Sequence, residues 1–474
     1  MTPPSGSPRE TVSKTMKRAL VLFLLIMSSV FAQTPQRFPD DFLFGIANAP
    51  GHVEDQLDDI WMDFGRAGHI KAFLNQAIPE ERLQFWSHPE VEINLAQELN
   101  VKIFRLGVDW GRIHTGPGQF DENAILRYRE ILGLVKAKDM KIMLTLFHFS
   151  MPKWIQEQGG WVNPETKKEF FEFAKKVMTE FHPQVDYWIT FNEPQIFATM
   201  AYGFGFFPPG IAGGPKTVLT SLQEMISAHK NIYHWAHANI PTPSIGIAQH
   251  MGHHTARKPL HKALSKLSGG FMNWYFPNRI KQEMDYFGFN YYGAEWIKGF
   301  AISIDPLEEY SEAGRAINPR GLHKISLEIK KKFPNLPQFI TENGVADATD
   351  WIRPSYLIEH LRVVQALLAE RVKILGYIHW TLSDNMEWSD GYCPKFGLVG
   401  VERGSGLARV KRPSFFLYQK IITDRVITPE QRDSAWALLQ SHGGEERPFC
   451  RSDDGQTGLD VPIPRKIRET DWRF

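Results

Sequence analysis

The chain has 474 residues, 43% apolar and 23% charged, which is a globular composition rather than a disordered or fibrous one. Its formal net charge is +1, so no overall field favours nucleic acid as a partner. Cys393 and Cys450 are the only cysteines, which excludes a disulfide framework or a four-thiolate zinc site and leaves one bridge between them open.

At the N-terminus, Lys17-Arg18 precedes an apolar run over 19–27 and then Ser28-Ser29-Val30-Phe31-Ala32. A basic segment, a short apolar segment and a closing small residue read as a signal peptide cut after Ala32, or as an uncut anchor. The run is shorter than the roughly 20 apolar residues of a membrane-spanning helix. The expected location is therefore periplasmic or secreted if the signal is cut, and membrane-anchored if it is not.

Beyond this segment the pattern alternates. Short apolar runs at 42–47, 103–108, 142–147, 187–191, 245–248, 286–289, 338–340 and 374–379 predict strands. Between them, 121–137, 164–181, 217–238 and 354–369 carry apolar residues at helical spacing. Strands alternating with helices predict a parallel sheet, and eight such units predict a closed (β/α)8 TIM barrel of the α/β class with long loops. The organisation read from this is a signal or anchor at 1–32, one barrel at 36–425, and a C-terminal extension packed on it at 426–474. The extension is polar, with a helical stretch at 428–440.

Side chains at the C-terminal ends of barrel strands converge on one face, and that face carries the chemistry. Here those ends are polar or aromatic. Arg105 lies in the second strand, and His148 ends the third. Asn192-Glu193-Pro194 ends the fourth, and Asn290-Tyr291-Tyr292 the sixth. Thr341-Glu342-Asn343-Gly344 ends the seventh, and His379-Trp380 the eighth. Two carboxylates facing each other across a barrel mouth suit glycoside cleavage, in which one protonates the leaving oxygen and the other attacks the anomeric carbon. Arg105 and Tyr292 are placed to keep Glu342 ionised, and Asn192 to bond a sugar 2-hydroxyl. Either Glu alone reads more readily as a structural ion pair; the two motifs together do not.

Weaker signals remain. His250, His253, His254 and His261 follow the fifth strand without compact metal-ligand spacing. Glu54, Asp55, Asp58 and Asp59 read first as a solvated acidic loop and second as a hard-cation site. Phe204, Phe206 and Phe207 follow the fourth strand and read as an apolar platform for an aglycone, or as packing on the barrel rim.

Thr190-Phe191-Asn192-Glu193-Pro194 and Ile340-Thr341-Glu342-Asn343-Gly344 resemble the acid/base and nucleophile signatures of glycoside hydrolase family 1. Leu144-Thr145-Leu146-Phe147-His148, Pro208-Pro209-Gly210 and the run from Trp380 to Trp388 are similar to that family as well. The resemblance runs from Phe38 to about Lys420. It implies catalysis by Glu193 as acid/base and Glu342 as nucleophile. It also implies substrate binding by His148, Asn192, Asn290, Trp380, Glu387, Trp388 and Phe396, beside Arg105 and Tyr292. Glu387 would hold the 4- and 6-hydroxyls, and Trp380 would stack on the sugar.

This chain departs from the family's Gln after the first strand, where it has His52, and from the Trp after the third-strand His, where it has Phe149. His52 is assigned to sugar binding from its place. The segments Ala49 to Asp55 and Asp390 to Leu398, with the closing Asp471-Trp472-Arg473-Phe474, resemble the "sensitive to freezing" galactolipid galactosyltransferase branch. That branch implies galactosyl transfer between lipids by the same residues, with Mg2+ as an accessory although the chemistry itself requires no cofactor. Three readings therefore compete: a β-galactosidase or β-glucosidase, a galactolipid transglycosylase, and a non-catalytic sugar- or lipid-binding barrel. The partner is a β-glycoside or a galactolipid, with membrane association through the N-terminal segment or the lipid substrate.

Overall fold

A computed structural model describes residues 36–70, 82–299, 301–305, 307–448, 450, 466–468 and 470–474. The signal or anchor expected at 1–32 lies outside the described residues.

Eight strands form a closed, all-parallel barrel: β1 (Leu43–Ala47), β2 (Ile103–Gly107), β3 (Lys141–Phe147), β4 (Tyr187–Asn192), β5 (Ile245–His250), β6 (Phe287–Asn290), β7 (Gln338–Asn343) and β8 (Ile374–His379). Each pairs with its neighbour in sequence, and β1 closes the ring on β8. A longer helix follows each strand: α1 (Pro89–Glu98), α2 (Glu122–Ala137), α3 (Thr166–Phe181), α4 (Gly214–Asn239), α5 (Pro259–Trp274), α6 (Pro319–Lys332), α7 (Arg353–Ala369) and α8 (Pro413–Asp424). This is the (β/α)8 architecture predicted from the alternation.

Alternation along the strands separates two cores. Ile103, Met143, Ile189, Phe339 and Ile378, from five different strands, meet in one buried cluster. Their neighbours Phe104, Ile142, Leu144 and Ile340 join the larger cluster packed with the helices. Successive side chains of a strand point to opposite faces, so each strand serves both layers.

Several strands run past the apolar stretch that predicted them. β4 continues to Asn192, β5 to His250, β6 to Asn290 and β7 to Asn343. The polar residues still pair through their backbones: Asn192 opposite Ala248, His250 opposite Asn290, and Glu342 opposite Asn290. Ladder bonds need no apolar side chain, so hydropathy ends a strand too early. Register irregularities at these ends, in β4–β5 and β6–β7, aim the polar side chains into the mouth.

The extension begins with α9 (Pro429–Ser441), opened by a capping box between Thr428 and Gln431. It packs on α7, which explains why α7 is buried on nearly every face rather than along one stripe. The anchor is Glu359 of α7, which is fully buried. It accepts from Arg432 at 2.7 and 2.9 Å, from Trp436 Nε1 at 2.8 Å and from the Phe474 backbone N–H at 2.9 Å. Glu359→Ala leaves Trp436 Nε1 and the Phe474 N–H without this acceptor, and leaves the Arg432 guanidinium only the Phe474 carbonyl at 3.1 Å. It is expected to cost about 3 kcal/mol, the low end for a broken buried pair because Arg432 keeps some water contact. Denaturant unfolding checks this, and a loss below about 1 kcal/mol, the range of an exposed pair, contradicts it. A disulfide between Cys393 and Cys450, whose Cα atoms are 5.4 Å apart, adds a covalent tie from the extension to the loop after β8.

Candidate active site

The barrel mouth gathers the chemistry at the strand ends. Glu193 follows β4 with φ 39° and ψ 56°, a left-handed conformation for a residue that carries a side chain. Such a backbone stores about 1–3 kcal/mol and persists only where its surroundings impose it. Here Pro194 starts a short helix at once, and the Glu193 N–H is held by Ala248 O at 2.7 Å.

Glu342, near the end of β7, is buried. One carboxylate oxygen accepts from the Arg105 guanidinium, and the other from the Tyr292 hydroxyl at 2.6 Å. Arg105 is itself fully buried and donates to Asn192 Oδ1 at 2.7 Å and to the Thr341 carbonyl at 3.1 Å. Asn290 bridges the two sides, with Nδ2 2.9 Å from Glu193 Oε1 and 3.1 Å from Asn192 Oδ1. Thr341 Oγ1 donates to Asn290 Oδ1 at 2.7 Å, which fixes the amide orientation. One network of polar side chains thus runs from Glu342 through Arg105, Asn192 and Asn290 to Glu193.

Burial pushes the Glu342 carboxyl up to about 6; Arg105 opposes this, and the charge of Glu193 adds to it. Glu342 is therefore ionised at neutral pH. Burial would raise Glu193 too, but His250 and Asn290 outweigh it and hold its carboxyl below the usual range.

On the opposite rim, His52 Nδ1 lies 3.0 Å from Asn385 Oδ1. The His52 ring meets Trp388 edge-on at 4.0 Å and Trp380 at 5.1 Å. His148 packs 5.7 Å from Trp388 and 6.1 Å from Trp380. Burial lowers His52 to about 3 and pushes His148 well below its ordinary value, so both rings are neutral. Among the described residues neither His52 Nε2 nor His148 Nδ1 has a hydrogen-bond partner, and both atoms are buried, which leaves each suited to bond a ligand hydroxyl. Glu387 Oε1 accepts from Trp380 Nε1 at 3.1 Å, and burial raises its carboxyl well above the usual range. Phe396 packs on Tyr292 at 5.9 Å between ring centres. The residues singled out from the sequence thus meet in one contiguous region.

The acidic loop after β1 is differently occupied. Glu54 is bound by Tyr128 and Arg112, Asp59 by Arg82, and Asp55 by Ser87 and two backbone N–H groups. Carboxylates satisfied in this way do not fit a Mg2+ site. Among the described residues no group of His, Cys, Asp or Glu is arranged to hold a metal.

Sequence reasoning missed the residues behind Glu193. His250 is the last residue of β5, and its Nδ1 lies 3.4 Å from Glu193 Oε1. Its Nε2 lies 2.9 Å from Glu295 Oε1, whose other oxygen is 3.5 Å from His254 Nδ1. The signal available was position: His250 ends a strand, as the other site residues do.

Known proteins resemble this chain along most of its length. The family model described as Glycosyl hydrolase family 1 matches residues 34–277 and 276–426. The chain is 35% identical to "Galactolipid galactosyltransferase SFR2, chloroplastic" of Arabidopsis thaliana, over 91% of this chain and 82% of that one. It is 34% identical to "Beta-glucosidase-like SFR2, chloroplastic" of Oryza sativa subsp. japonica, over 92% of this chain and 83% of that one. Among solved structures, a β-glycosidase from Pyrococcus horikoshii superposes with a TM-score of 0.77 at 25% identity, over 85% of this chain and 98% of that one. The barrel, the two glutamate-bearing strand ends and these relatives agree: the chain is an enzyme of glycosyl hydrolase family 1.

Proposed function

We propose that the protein is a retaining enzyme acting on β-D-galactosides or β-D-glucosides by double displacement. Glu342 attacks the anomeric carbon and forms a glycosyl-enzyme. Glu193 protonates the departing oxygen, then takes the proton of the incoming hydroxyl. The observation that carries this reading is the pairing of Glu342 with Arg105 and Tyr292, opposite a Glu193 linked to it through Asn290 and Asn192. Arg105 and Tyr292 hold the nucleophile ionised and aimed. His52, His148, Trp380, Glu387 and Trp388 form the wall that grips the −1 sugar. No cofactor enters the chemistry.

A second reading, galactosyl transfer between galactolipids, is favoured by the loop after the acid/base strand. Phe204 and Phe206 stack at 5.8 Å and are 60% and 53% exposed. Phe207 instead turns inward against Trp61 at 4.9 Å, and Trp61 packs on Trp388 at 4.7 Å. An apolar surface of this kind suits a lipid aglycone and disfavours water as the second-step nucleophile. The Arabidopsis relative is named for that activity. Among the described residues no helix is long and apolar enough to cross a membrane, so contact with lipid would come through the substrate or the N-terminal segment.

Incubation with a monogalactosyl lipid and, separately, with nitrophenyl β-galactoside tests both readings. Oligogalactolipid products identify transfer, and free galactose identifies hydrolysis. If neither substrate is consumed and nitrophenyl β-glucoside is not cleaved, the proposal fails.

A further inference from the structure

The acid/base of a retaining enzyme must carry a proton when the leaving group departs. Here the surroundings of Glu193 favour its carboxylate form. A proton is held one bond further out.

We propose that His250, gripped by Glu295, is a positioning residue that stores the proton Glu193 delivers to the leaving group. This builds on the glycosidase reading above and assigns a role to the far side of the site. His250 is 2% exposed and lies between two carboxylates, Glu193 at 3.4 Å from Nδ1 and Glu295 at 2.9 Å from Nε2. An imidazole flanked on both ring nitrogens by carboxylate oxygens donates on both sides only as imidazolium. Glu295 is fixed in turn. Its second oxygen faces His254 at 3.5 Å, and Arg315 approaches its first at 4.0 Å. Against burial, which would lower it, the two carboxylates raise His250 to about 9. His254 and Arg315, with opposing burial, hold Glu295 far below the carboxylate range together with His250 itself. The other charged or titratable groups facing Glu193 are Arg315, Glu342, Tyr292 and, through Asn192 and Asn290, Arg105.

The proton count closes over a turnover. In the first step the bond from the anomeric carbon to the leaving oxygen breaks, and a bond from that carbon to Glu342 forms. The proton on His250 Nδ1 passes to the Glu193 carboxylate and from it to the leaving oxygen, so Glu193 is a carboxylate again and His250 ends neutral. In the second step the acceptor hydroxyl attacks the anomeric carbon and Glu342 departs. The acceptor proton passes to Glu193 and back to His250, restoring the imidazolium. His250 and Glu295 also line a small cleft bordered by Gly293, Ile302 and Arg315.

The test is the pH profile of kcat/KM for two substrates. A methyl β-glycoside needs its leaving group protonated, whereas a dinitrophenyl β-glycoside does not. In the natural protein the basic limb for the methyl glycoside is expected near pH 9. His250→Asn should bring it down by about two pH units, to the range of a buried catalytic carboxyl. Glu295→Gln should move it the same way while leaving a side chain bonded to the ring. For the dinitrophenyl glycoside neither variant should move the limb. A purely structural role would lower both substrates equally at every pH, and that result overturns the proposal. So does an unmoved basic limb in Glu295→Gln, the variant that still reports if His250→Asn does not fold. If the natural protein turns over no dinitrophenyl glycoside at all, it is the glycosidase reading that has failed.

Discussion

Glu342→Gln is expected to lose turnover of every β-glycoside by on the order of 10⁵-fold or more. A loss of that size is usual when the attacking group itself is removed, and it corresponds to about 7 kcal/mol of barrier. The amide cannot attack carbon. Its NH2 also replaces an acceptor that now receives from Arg105 or from Tyr292. The fold should survive, because the side chain keeps its volume and one acceptor oxygen. A mass-spectrometric search for a trapped 2-fluoroglycosyl adduct checks the assignment. The natural protein should carry the label on the peptide containing Glu342, and the variant should carry none. A labelled variant, or normal turnover, removes Glu342 from the nucleophile role. The same residue sets the acidic side of the profile. With its carboxyl at about 6, the rate should fall as pH drops below that value and the nucleophile is protonated.

Glu193→Ala is expected to separate substrates by leaving group. For a methyl glycoside, loss of general acid catalysis should cost on the order of 10³-fold. For a dinitrophenyl glycoside the first step should proceed almost unchanged, and the second should slow because no base activates the incoming hydroxyl. A burst of dinitrophenol followed by slow steady turnover is the signature. Azide, which needs no base, should restore the steady rate and yield a β-glycosyl azide. An equal loss for both substrates with no azide rescue would mean that Glu193 serves structure alone. The same substitution removes one of the two acceptors of Asn290 Nδ2 and one of the two carboxylates flanking His250.

The barrel was legible because each strand is an apolar run short enough to exclude a helix, and helical patterns lie between several of them. The site was legible for a related reason: Glu193, Asn290, Glu342 and Trp380 stand where an apolar run stops, and in a barrel all such ends face one way. The pattern was silent where a residue's meaning depends on a distant partner. Glu295 sits in a minor strand, Ala294–Lys298, which pairs with His253–Thr255. It lies 45 residues from the histidine it holds. Hydropathy does not report such a meeting, so the histidines after β5 read as loop residues. The acidic loop after β1 misled in the opposite way. Glu54 and Asp59 look like a solvated cluster in sequence, yet both are buried on Arg112, Tyr128 and Arg82. The Cys393–Cys450 bridge, spanning 57 residues, was left open because nothing in the spacing brings the tail to that loop.

That bridge places a constraint far from the strands it serves. Cys393 lies just beyond Glu387 and Trp388, the residues proposed to read the sugar's outer hydroxyls, and its partner is near the end of the chain. The segment proposed to meet those hydroxyls is thus tethered from outside the ring, by a piece made only after all eight strands are complete. Opening the bridge by Cys450→Ser would release the loop at Cys393 from the extension with every catalytic side chain left as it is.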